Sequence, residues 1–442
     1  MEKWRLILSD LLWQNHPGRR LKFAWQAAQM GLLTMPFLPT VGGISFALAL
    51  LTTGKQKFSE IIQNRVNQGF AVLGLGLIMT ACVAQYPGVA LLGLGNFLPF
   101  FLFFATLSTL IQTPEQLRQF SKLFVIASIP VVILGLGQLW ANWSTPAPLS
   151  SILGWVLQAN GNPPTRMAST FMYANILASY LLLVFSLGLG LWCELSGLTS
   201  VTPPATPGWK TRQWWGLTGI LLGVMVAIVL THSRNGWGLM LGVILAYGLY
   251  FRWYQLWLGV MAVAGAILGA AFAPEPVQTG LRYVVPGIIW QRLTDQNFPN
   301  RPVATLRVTQ WQFAWEMTQQ RPLTGWGLRN FTPLYEQQME IWLGHPHNLI
   351  LMLTAETGIP ATLFFLGLVG WIYGQGVWLL PRLSPQNRLI LLSYLVAFGA
   401  GTLFNLVDIT LFDLRMNTFN WLLLAAIHGI VKTHPQNGWE AS

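Results

Sequence analysis

Residues 344–360 read GHPHNLILMLTAETGIP, a short polar stretch that passes directly into an apolar one. The segment before it, residues 274–344, is the only long polar interruption of the chain. Every cationic side chain in that segment is an arginine: Arg282, Arg292, Arg301, Arg307, Arg321 and Arg329. Histidine titrates near neutral pH, and the arginine guanidinium binds phosphate-like anions in a fork. An imidazole at the rim of an apolar helix, beside an arginine-rich loop, indicates an acid or base next to an anion site.

The composition of the whole chain places this stretch in a membrane protein. Of its 442 residues 53% are hydrophobic and 9% are charged, and the mean hydropathy is +0.50. A soluble domain of this length carries far more charge. Cys82 and Cys193 lack metal-ligand spacing, and nothing resembles a nucleic-acid-binding module, so no nucleic-acid partner is expected. The predicted fold class is an all-α polytopic membrane protein.

Apolar segments near the ~20 residues needed to cross a bilayer predict about twelve transmembrane helices. Residues 24–53 are too long for one span and contain Pro36 and Pro39, so we divide them into two short helices joined by a tight turn. The other predicted spans are 69–85, 89–111, 121–141, 173–192, 214–231, 234–251, 254–273, 358–380, 389–407 and 412–431. The chain then divides into residues 1–273 with helices 1–9, one large extracytoplasmic loop at 274–344, and residues 345–442 with helices 10–12.

The lysines orient this topology. An even number of spans puts both termini on one side, and all seven lysines fall on that side: Lys3, Lys22, Lys55, Lys57, Lys122, Lys210 and Lys432. By the positive-inside rule that side is cytoplasmic, so the large loop lies on the opposite, outer face of the membrane. Arg166, Arg234 and the six loop arginines remain on the opposite face against this bias. A bound anion is the commonest reason for such arginines.

The outer segments contain further short elements. In the large loop, VATLRVTQWQFAWEMTQQ (303–320) predicts an amphipathic helix, RPLTGWGLRNF (321–331) predicts glycine turns, and YEQQMEIWL (335–343) predicts a second short helix. Residues 142–172 are rich in proline, glycine and asparagine and predict a loop that leads into a helix at ANILASYL (174–181). Residues 231–240, THSRNGWGLM, place Arg234 at a tight turn between two spans.

Each candidate side chain also has a purely structural interpretation. His347 or His345 could simply hydrogen-bond a loop carbonyl, but His347 with Asn348 opens the following helix and is the first candidate for a base. Arg234 could reach the outer headgroups, and Arg307 could be a solvated residue among glutamines.

Two other polar groups have similar alternatives. Arg166 and Asn175, at the mouth of a span, could form an ordinary helix entry. Asp408, Asp413 and Arg415 near the last turn indicate an internal ion pair with a structural role. The outer face has no paired-carboxylate motif, no Walker loop and no metal-binding histidine cluster. We therefore expect no metal and no cofactor, and arginine alone would have to neutralise a bound anion.

Four segments, in this order, resemble the O-antigen ligase and polymerase superfamily of bacterial envelope glycosyltransferases. They are R…TF…AN at 166–175, T-x-S-R-x-x-W at 231–237, R-x-x-x-W…RPLTGWGLRNF at 307–331, and HN…E-x-G-I-P at 347–360. The resemblance runs through most of the chain from about residue 160. The cyanobacterial branch of the superfamily, described as inorganic-carbon transporters, is similar in its YEQQ and LFD elements near Tyr335 and Asp413.

The resemblance implies a metal-independent, inverting transfer of a glycan from an undecaprenyl-pyrophosphate carrier to an acceptor hydroxyl on the periplasmic side. His347 would be the base for that hydroxyl, and Arg234 and Arg307 would bind the pyrophosphate of the donor. Arg166, Asn175 and Arg329 would be secondary contacts. The implied partners are the lipid-linked donor, a glycan or lipid-glycan acceptor, and membrane lipids.

Three alternatives stay open at this point. A ligase and a polymerase use the same donor and differ only in acceptor. A secondary transporter for a small anion such as bicarbonate would use Arg234 and Arg415 as intramembrane anion contacts. A scaffold protein would need none of these residues.

Overall fold

The computed structural model of the chain describes residues 13–198, 208, 211–294 and 302–434, and these residues form helices and connecting turns with no strand. The prediction of an all-α polytopic protein is confirmed. The α-helices are α1 (Lys22–Thr34), α2 (Pro39–Gln63), α3 (Arg65–Cys82), α4 (Pro87–Gly93), α5 (Leu98–Leu110), α6 (Pro114–Trp140), α7 (Ala147–Leu153), α8 (Ala174–Leu195), α9 (Arg212–Leu230), α10 (Arg234–Tyr250), α11 (Tyr254–Phe272), α12 (Val277–Arg282), α13 (Gly287–Leu293), α14 (Arg307–Gln320), α15 (Phe331–Met339), α16 (Leu349–Leu379), α17 (Pro385–Asn405) and α18 (Leu414–Thr433).

Eight of the described helical segments are long and apolar enough to cross a membrane: Arg65–Cys82, Pro87–Leu110, Pro114–Trp140, Ala174–Leu195, Arg212–Leu230, Tyr254–Phe272, Leu349–Arg382 and Pro385–Asn405. The other predicted spans correspond to α1, α2, α10 and α18. These four segments are helical as well, but each is too short, too charged or too polar to be counted among the eight. Helix α8 is the most buried of the eight segments and α11 the least, so α8 lies at the centre of the bundle.

The predicted boundaries need four corrections. Helix α2 continues to Gln63 instead of ending near residue 53, because the polar residues 54–63 remain helical until Asn64 caps the next helix with its side chain. The predicted span 89–111 is interrupted at residues 94–97, just before Pro99, which has no N–H for a continuous helix. The predicted loop 142–172 contains the short helix α7. Helix α16 begins at Leu349, where Asn348 caps it, and not near 358.

Two sets of polar groups lie at opposite ends of α18. Lys432, near its C-terminus, contacts Glu60 at 2.8 Å, and Glu60 also pairs with Lys57 at 2.9 Å. Asp413 caps its N-terminus. At 1.5 Å per residue the two ends of this 20-residue helix are ~30 Å apart. Lys57 and Lys432 therefore lie at the end of the bundle remote from residues 408–413, while Lys3 and Lys210 lie outside the described residues.

Helix α16 is broken at Gly358, and the large loop fills the break. Gly358 has φ 80° and ψ 163°, a conformation that essentially only glycine adopts. The backbone N–H groups of Trp326 and Gly327 donate to the carbonyls of Ala355 and Glu356 at 3.0 and 2.8 Å, and Ile359 N–H donates to Pro322 at 2.8 Å. The loop thus satisfies backbone groups that the break would leave unpaired, and it holds residues 349–357 in place.

Replacing Gly358 by alanine is expected to destabilise the protein by about 2 kcal/mol or more, through backbone strain and a Cβ atom 2.3 Å from the carbonyl oxygen of Leu323. The melting temperature of the purified protein in detergent measures this. Gly367→Ala in the same helix is the control, because its Cβ would meet nothing within 4 Å. Equal melting temperatures for the two variants would contradict the assigned role of the break.

The predicted helices of the large loop are present. The helix expected within 303–320 is α14, preceded by one 3-10 turn, and the second is α15, which begins four residues earlier than the predicted 335 and ends at Met339. Phe331 and Tyr335 stack on each other, Phe313 contacts both rings edge-on, and the three pack with Ala355 of α16. A small core of its own therefore holds this part of the loop on the first turns of α16.

Candidate functional site

Helices α8, α10, α14 and α16 all begin around one cavity, whose empty volume counted out to its mouth is about 1040 Å³. Arg234 and Arg307 are the first residues of α10 and α14, Asn175 is the second residue of α8, and His347 lies two residues before α16. The first turn of a helix exposes backbone N–H groups and carries a partial positive charge. Four such ends at one cavity favour a bound anion there.

Polar side chains dominate the lining of this cavity. It is lined by Arg166, Tyr173, Asn175, His232, Ser233, Arg234, Asn235, Thr305, Leu306, Arg307, His347, Val407 and Asp408. Three guanidinium groups face a single carboxylate, so the net charge is positive. The structure thus brings five of the six predicted site residues together.

Arg329 is the predicted site residue that does not line the cavity. Its side chain is exposed, and its guanidinium lies 5.6 Å from the ring centroid of Phe412. Phe412 in turn stacks on His345, with ring centroids 5.8 Å apart. Arg329 therefore lies outside the lining of the cavity, and Phe412 is placed between it and His345.

Gln310 fixes the tautomer of His347. The amide nitrogen of this buried glutamine donates to the carbonyl of Thr305 at 3.2 Å, which turns its oxygen toward His347. That oxygen lies 2.9 Å from Nδ1 of His347, so Nδ1 carries the proton and donates. Nε2 of the neutral ring then keeps its lone pair. His347 is thus arranged with a basic nitrogen available on the side of the cavity.

Asp408 is buried and faces that nitrogen. One of its carboxylate oxygens lies 3.9 Å from Nε2 of His347, and the other accepts a hydrogen bond from Asn175. The amide oxygen of Asn175 accepts from Arg166, which also donates to the carbonyl of Thr231 at 2.8 Å. Arg166 and Asn175 therefore hold Asp408 opposite the imidazole.

The predicted grouping of Asp408 with Asp413 and Arg415 is wrong in one member. Arg415 pairs with Asp413 at 2.7 Å, donates to the carbonyl of Thr170 at 2.7 Å and lies over the ring of Phe171. Asp408 takes no part in this buried pair, because its carboxylate is turned toward Asn175 and His347. Arg415 and Asp413 are structural, and Asp408 belongs to the cavity.

Burial lowers the pKa of His347 from its ordinary value of 6.5, and the positive charge of Arg307 lowers it further, while Asp408 raises it. The pKa of His345 falls to about 3, because burial, His347 and Arg307 all oppose a charge there. Both rings are therefore neutral at neutral pH. His345 also accepts the backbone N–H of His347 at 3.2 Å, which makes His345 a support for the loop.

An activity that uses His347 as a proton acceptor is expected to rise with pH through the pKa of His347, because only the neutral ring can accept a proton. The acidic limb of the kcat/KM profile should lie below pH 6.5. Asp408→Asn removes the charge that raises this pKa, so its residual activity should show the limb at still lower pH. A limb above pH 7, or one that Asp408→Asn does not move, would contradict this arrangement.

One cluster at the edge of the cavity could hold a metal ion, since ligand atoms of His345, His347 and Asp408 lie within 4.8 Å of one another. Nδ1 of each histidine is already hydrogen-bonded, to the His347 backbone and to Gln310. Arg166, Arg234 and Arg307 line the same cavity and oppose a divalent cation. The charge balance favours an anion.

Sequence reasoning missed Asp408 and His232 as cavity residues, and Gln310 as the hydrogen-bond partner of His347. Gln310 lies one turn after Arg307 on the predicted helix, so its position on the same face was a usable signal. Asp408 lies 233 positions from Asn175, and no local pattern joins them. His232 lies in the same turn as Arg234, so the prediction of Arg234 as a site residue was a usable signal for His232 as well.

Residues 218–366, about a third of the chain, match a family model described as O-Antigen ligase. Arg234, Arg307 and His347 lie within the matched segment, whereas Arg166, Asn175 and Asp408 lie outside it. No curated protein matches the chain. The match supports the O-antigen ligase and polymerase superfamily, and it does not single out the cyanobacterial branch.

Proposed function

We propose that this chain, which carries an O-antigen ligase domain over residues 218–366, transfers a glycan from undecaprenyl pyrophosphate to an acceptor hydroxyl with inversion at the anomeric carbon. One observation carries the proposal: Nδ1 of His347 lies 2.9 Å from the amide oxygen of Gln310, which leaves Nε2 of the neutral ring as the proton acceptor, beside three cavity-lining arginines and the first turns of four helices. Displacement of pyrophosphate requires a base for the attacking hydroxyl and positive charge for the leaving pyrophosphate, and this cavity holds both.

In the proposed reaction the oxygen of the acceptor hydroxyl attacks the anomeric carbon of the donor sugar. The bond from that carbon to the pyrophosphate oxygen breaks, and the electron pair leaves with the carrier lipid's pyrophosphate. The hydroxyl proton passes to Nε2 of His347. Arg234 and Arg307 stabilise the charge that develops on the leaving oxygen, so no general acid is needed.

Asp408 is a positioning residue in this scheme. Its carboxylate stabilises the imidazolium that forms when His347 takes the proton, as a negative charge 3.9 Å away must. We assign Arg166 and Asn175 to the support of Asp408, since Asn175 donates to its carboxylate and Arg166 donates to the amide oxygen of Asn175. Arg329 receives no role in binding the donor.

We place the protein in a bacterial inner membrane with its termini cytoplasmic and the cavity periplasmic. In support, Lys57 and Lys432 pair with Glu60 at the end of α18 remote from the cavity, and lysine is favoured on the cytoplasmic side. The donor would then reach the cavity from the outer leaflet. The anion-transporter alternative loses one of its two contacts, because Arg415 is paired with Asp413 and does not line the cavity.

Reconstitution tests the proposal. The purified protein in liposomes that contain undecaprenyl-pyrophosphate-linked glycan and a lipid-glycan acceptor is expected to release undecaprenyl pyrophosphate and to form a product of inverted anomeric configuration. EDTA should leave the rate unchanged, because guanidinium groups supply the positive charge. Transfer that needs only the carrier-linked glycan would identify a polymerase, and transfer that needs the lipid-glycan would identify a ligase. Bicarbonate uptake with no release of carrier pyrophosphate would overturn it.

A further inference from the structure

A second cleft lies in the large loop, apart from the cavity that holds His347. One face of α14 and one face of α15 form its two walls, and its empty volume is about 560 Å³. We call it the amide groove. Its floor is apolar and aromatic, built from Phe313, Met317, Trp326 and Leu334. Its rim is polar and carries a single formal charge, in Glu316, Gln320, Gln337 and Gln338.

The lining residues of the groove recur at helical spacing on both α14 and α15. On α14 the lining residues fall at positions 313, 316, 317 and 320, and on α15 at 334, 337 and 338, which is one face of each helix. Trp326 is fixed in place, since its indole N–H donates to the carbonyl of Met317 at 2.9 Å and Arg321 covers one face of the ring.

The chemistry of the groove suits a neutral carbohydrate. A sugar ring has apolar C–H faces and an edge of hydroxyl groups that both donate and accept hydrogen bonds. A glutamine side chain offers two donors and one acceptor, and an aromatic floor offers an apolar surface. With one carboxylate and no cation in its lining, the groove does not suit a phosphate group or an anionic lipid.

The groove is also connected to the base. Helix α14 begins with Arg307 in the cavity, carries Gln310, which holds His347, and then presents Phe313 to Gln320 to the groove. At 1.5 Å per residue the groove extends from about 9 to about 20 Å from Arg307 along this axis. That is within reach of a glycan chain several sugars from its reacting end.

We propose that the amide groove binds the glycan chain of a substrate, several sugars away from the reacting hydroxyl or anomeric carbon. This inference rests on the proposed function for the identity of the chain, but the binding itself does not depend on catalysis. The glycan belongs either to the donor or to the acceptor, and these two sources share the same chemistry.

The test uses the full-length protein in detergent and oligosaccharides released from the cell's surface polysaccharide by mild acid. Gln320→Ala combined with Gln338→Ala removes one amide from each wall, and both side chains are exposed, so folding is not at risk. Gln312→Ala combined with Gln319→Ala is the matched control, because these exposed glutamines of α14 do not line the groove. Binding is measured by saturation-transfer NMR.

The groove variant is expected to bind the oligosaccharides about tenfold more weakly, the effect of one or two lost hydrogen bonds, while the control binds like the parent protein. In transfer assays KM should rise only for the substrate whose chain is long, donor or acceptor, and transfer from a donor that carries one sugar should be unchanged. Equal binding by the groove variant and the control overturns the inference. Oligosaccharide binding that persists in a protein without transferase activity would overturn the proposed function and leave the groove standing.

Discussion

Replacing His347 by asparagine is expected to lower the rate of glycan transfer by about 10²- to 10⁴-fold, the usual contribution of a positioned general base. Asparagine is the appropriate replacement because the backbone of His347 has φ 55°, and asparagine tolerates this left-handed conformation better than alanine does. The loss should fall on kcat, since the donor's pyrophosphate would still bind. The rate of release of undecaprenyl pyrophosphate measures it.

His232 provides a matched control for this variant. It is also a histidine that lines the cavity, and its backbone has φ 50°. His232→Asn should retain at least about ten times the activity of His347→Asn, because a general base contributes far more than a single hydrogen bond. Equal losses in the two variants would mean that the cavity needs both imidazoles for its shape, and His347 would not be the base.

Replacing Arg234 or Arg307 by glutamine is expected to lower kcat about 10²- to 10³-fold, which corresponds to about 2.7–4 kcal/mol of lost transition-state stabilisation. Each guanidinium stands at the start of a helix, so the substitution leaves the helix N-terminus in place and removes only the side-chain charge. Binding of the pyrophosphate carrier should weaken in parallel. Direct binding of undecaprenyl pyrophosphate separates this effect from catalysis.

Arg329→Gln serves as the control for charge, since Arg329 is an arginine of the same loop that does not line the cavity. Its transfer rate should change by less than about threefold, as expected for an exposed side chain. If Arg329→Gln lost as much activity as Arg307→Gln, the donor would extend beyond the cavity described here. The secondary contact implied by family resemblance would then be supported.

Much of the fold could be predicted from the sequence because helices that cross a membrane carry long apolar runs. The loop helix at Arg307–Gln320 was equally predictable, because its apolar residues recur with helical periodicity. The break at Gly358 was harder to predict. The motif ETGIP contains glycine and proline, which indicate a bend, but the loop that fills the bend lies about thirty residues earlier in the chain.

The candidate site was predictable in its three arginines and in His347, and unpredictable in the residues that support them. Lysine topology made Arg166, Arg234 and Arg307 conspicuous, and the four motif segments pointed to His347. The contact between Asp408 and His347 depends on how α17 and α18 pack beside α16, which local sequence does not encode. The orientation of the Gln310 amide depends on the carbonyl of Thr305, and this contact too is defined only in the folded protein.

The break in α16 also defines what can be exchanged between related enzymes. Residues 322–327 are hydrogen-bonded to the backbone at residues 355–359. The loop, the turn that carries the histidines and the first part of α16 therefore form one structural unit. A graft that ends at residue 344 would separate the donors from the acceptors of those hydrogen bonds. The natural junction for altering glycan specificity by recombination therefore lies beyond Gly358, inside the apolar helix itself.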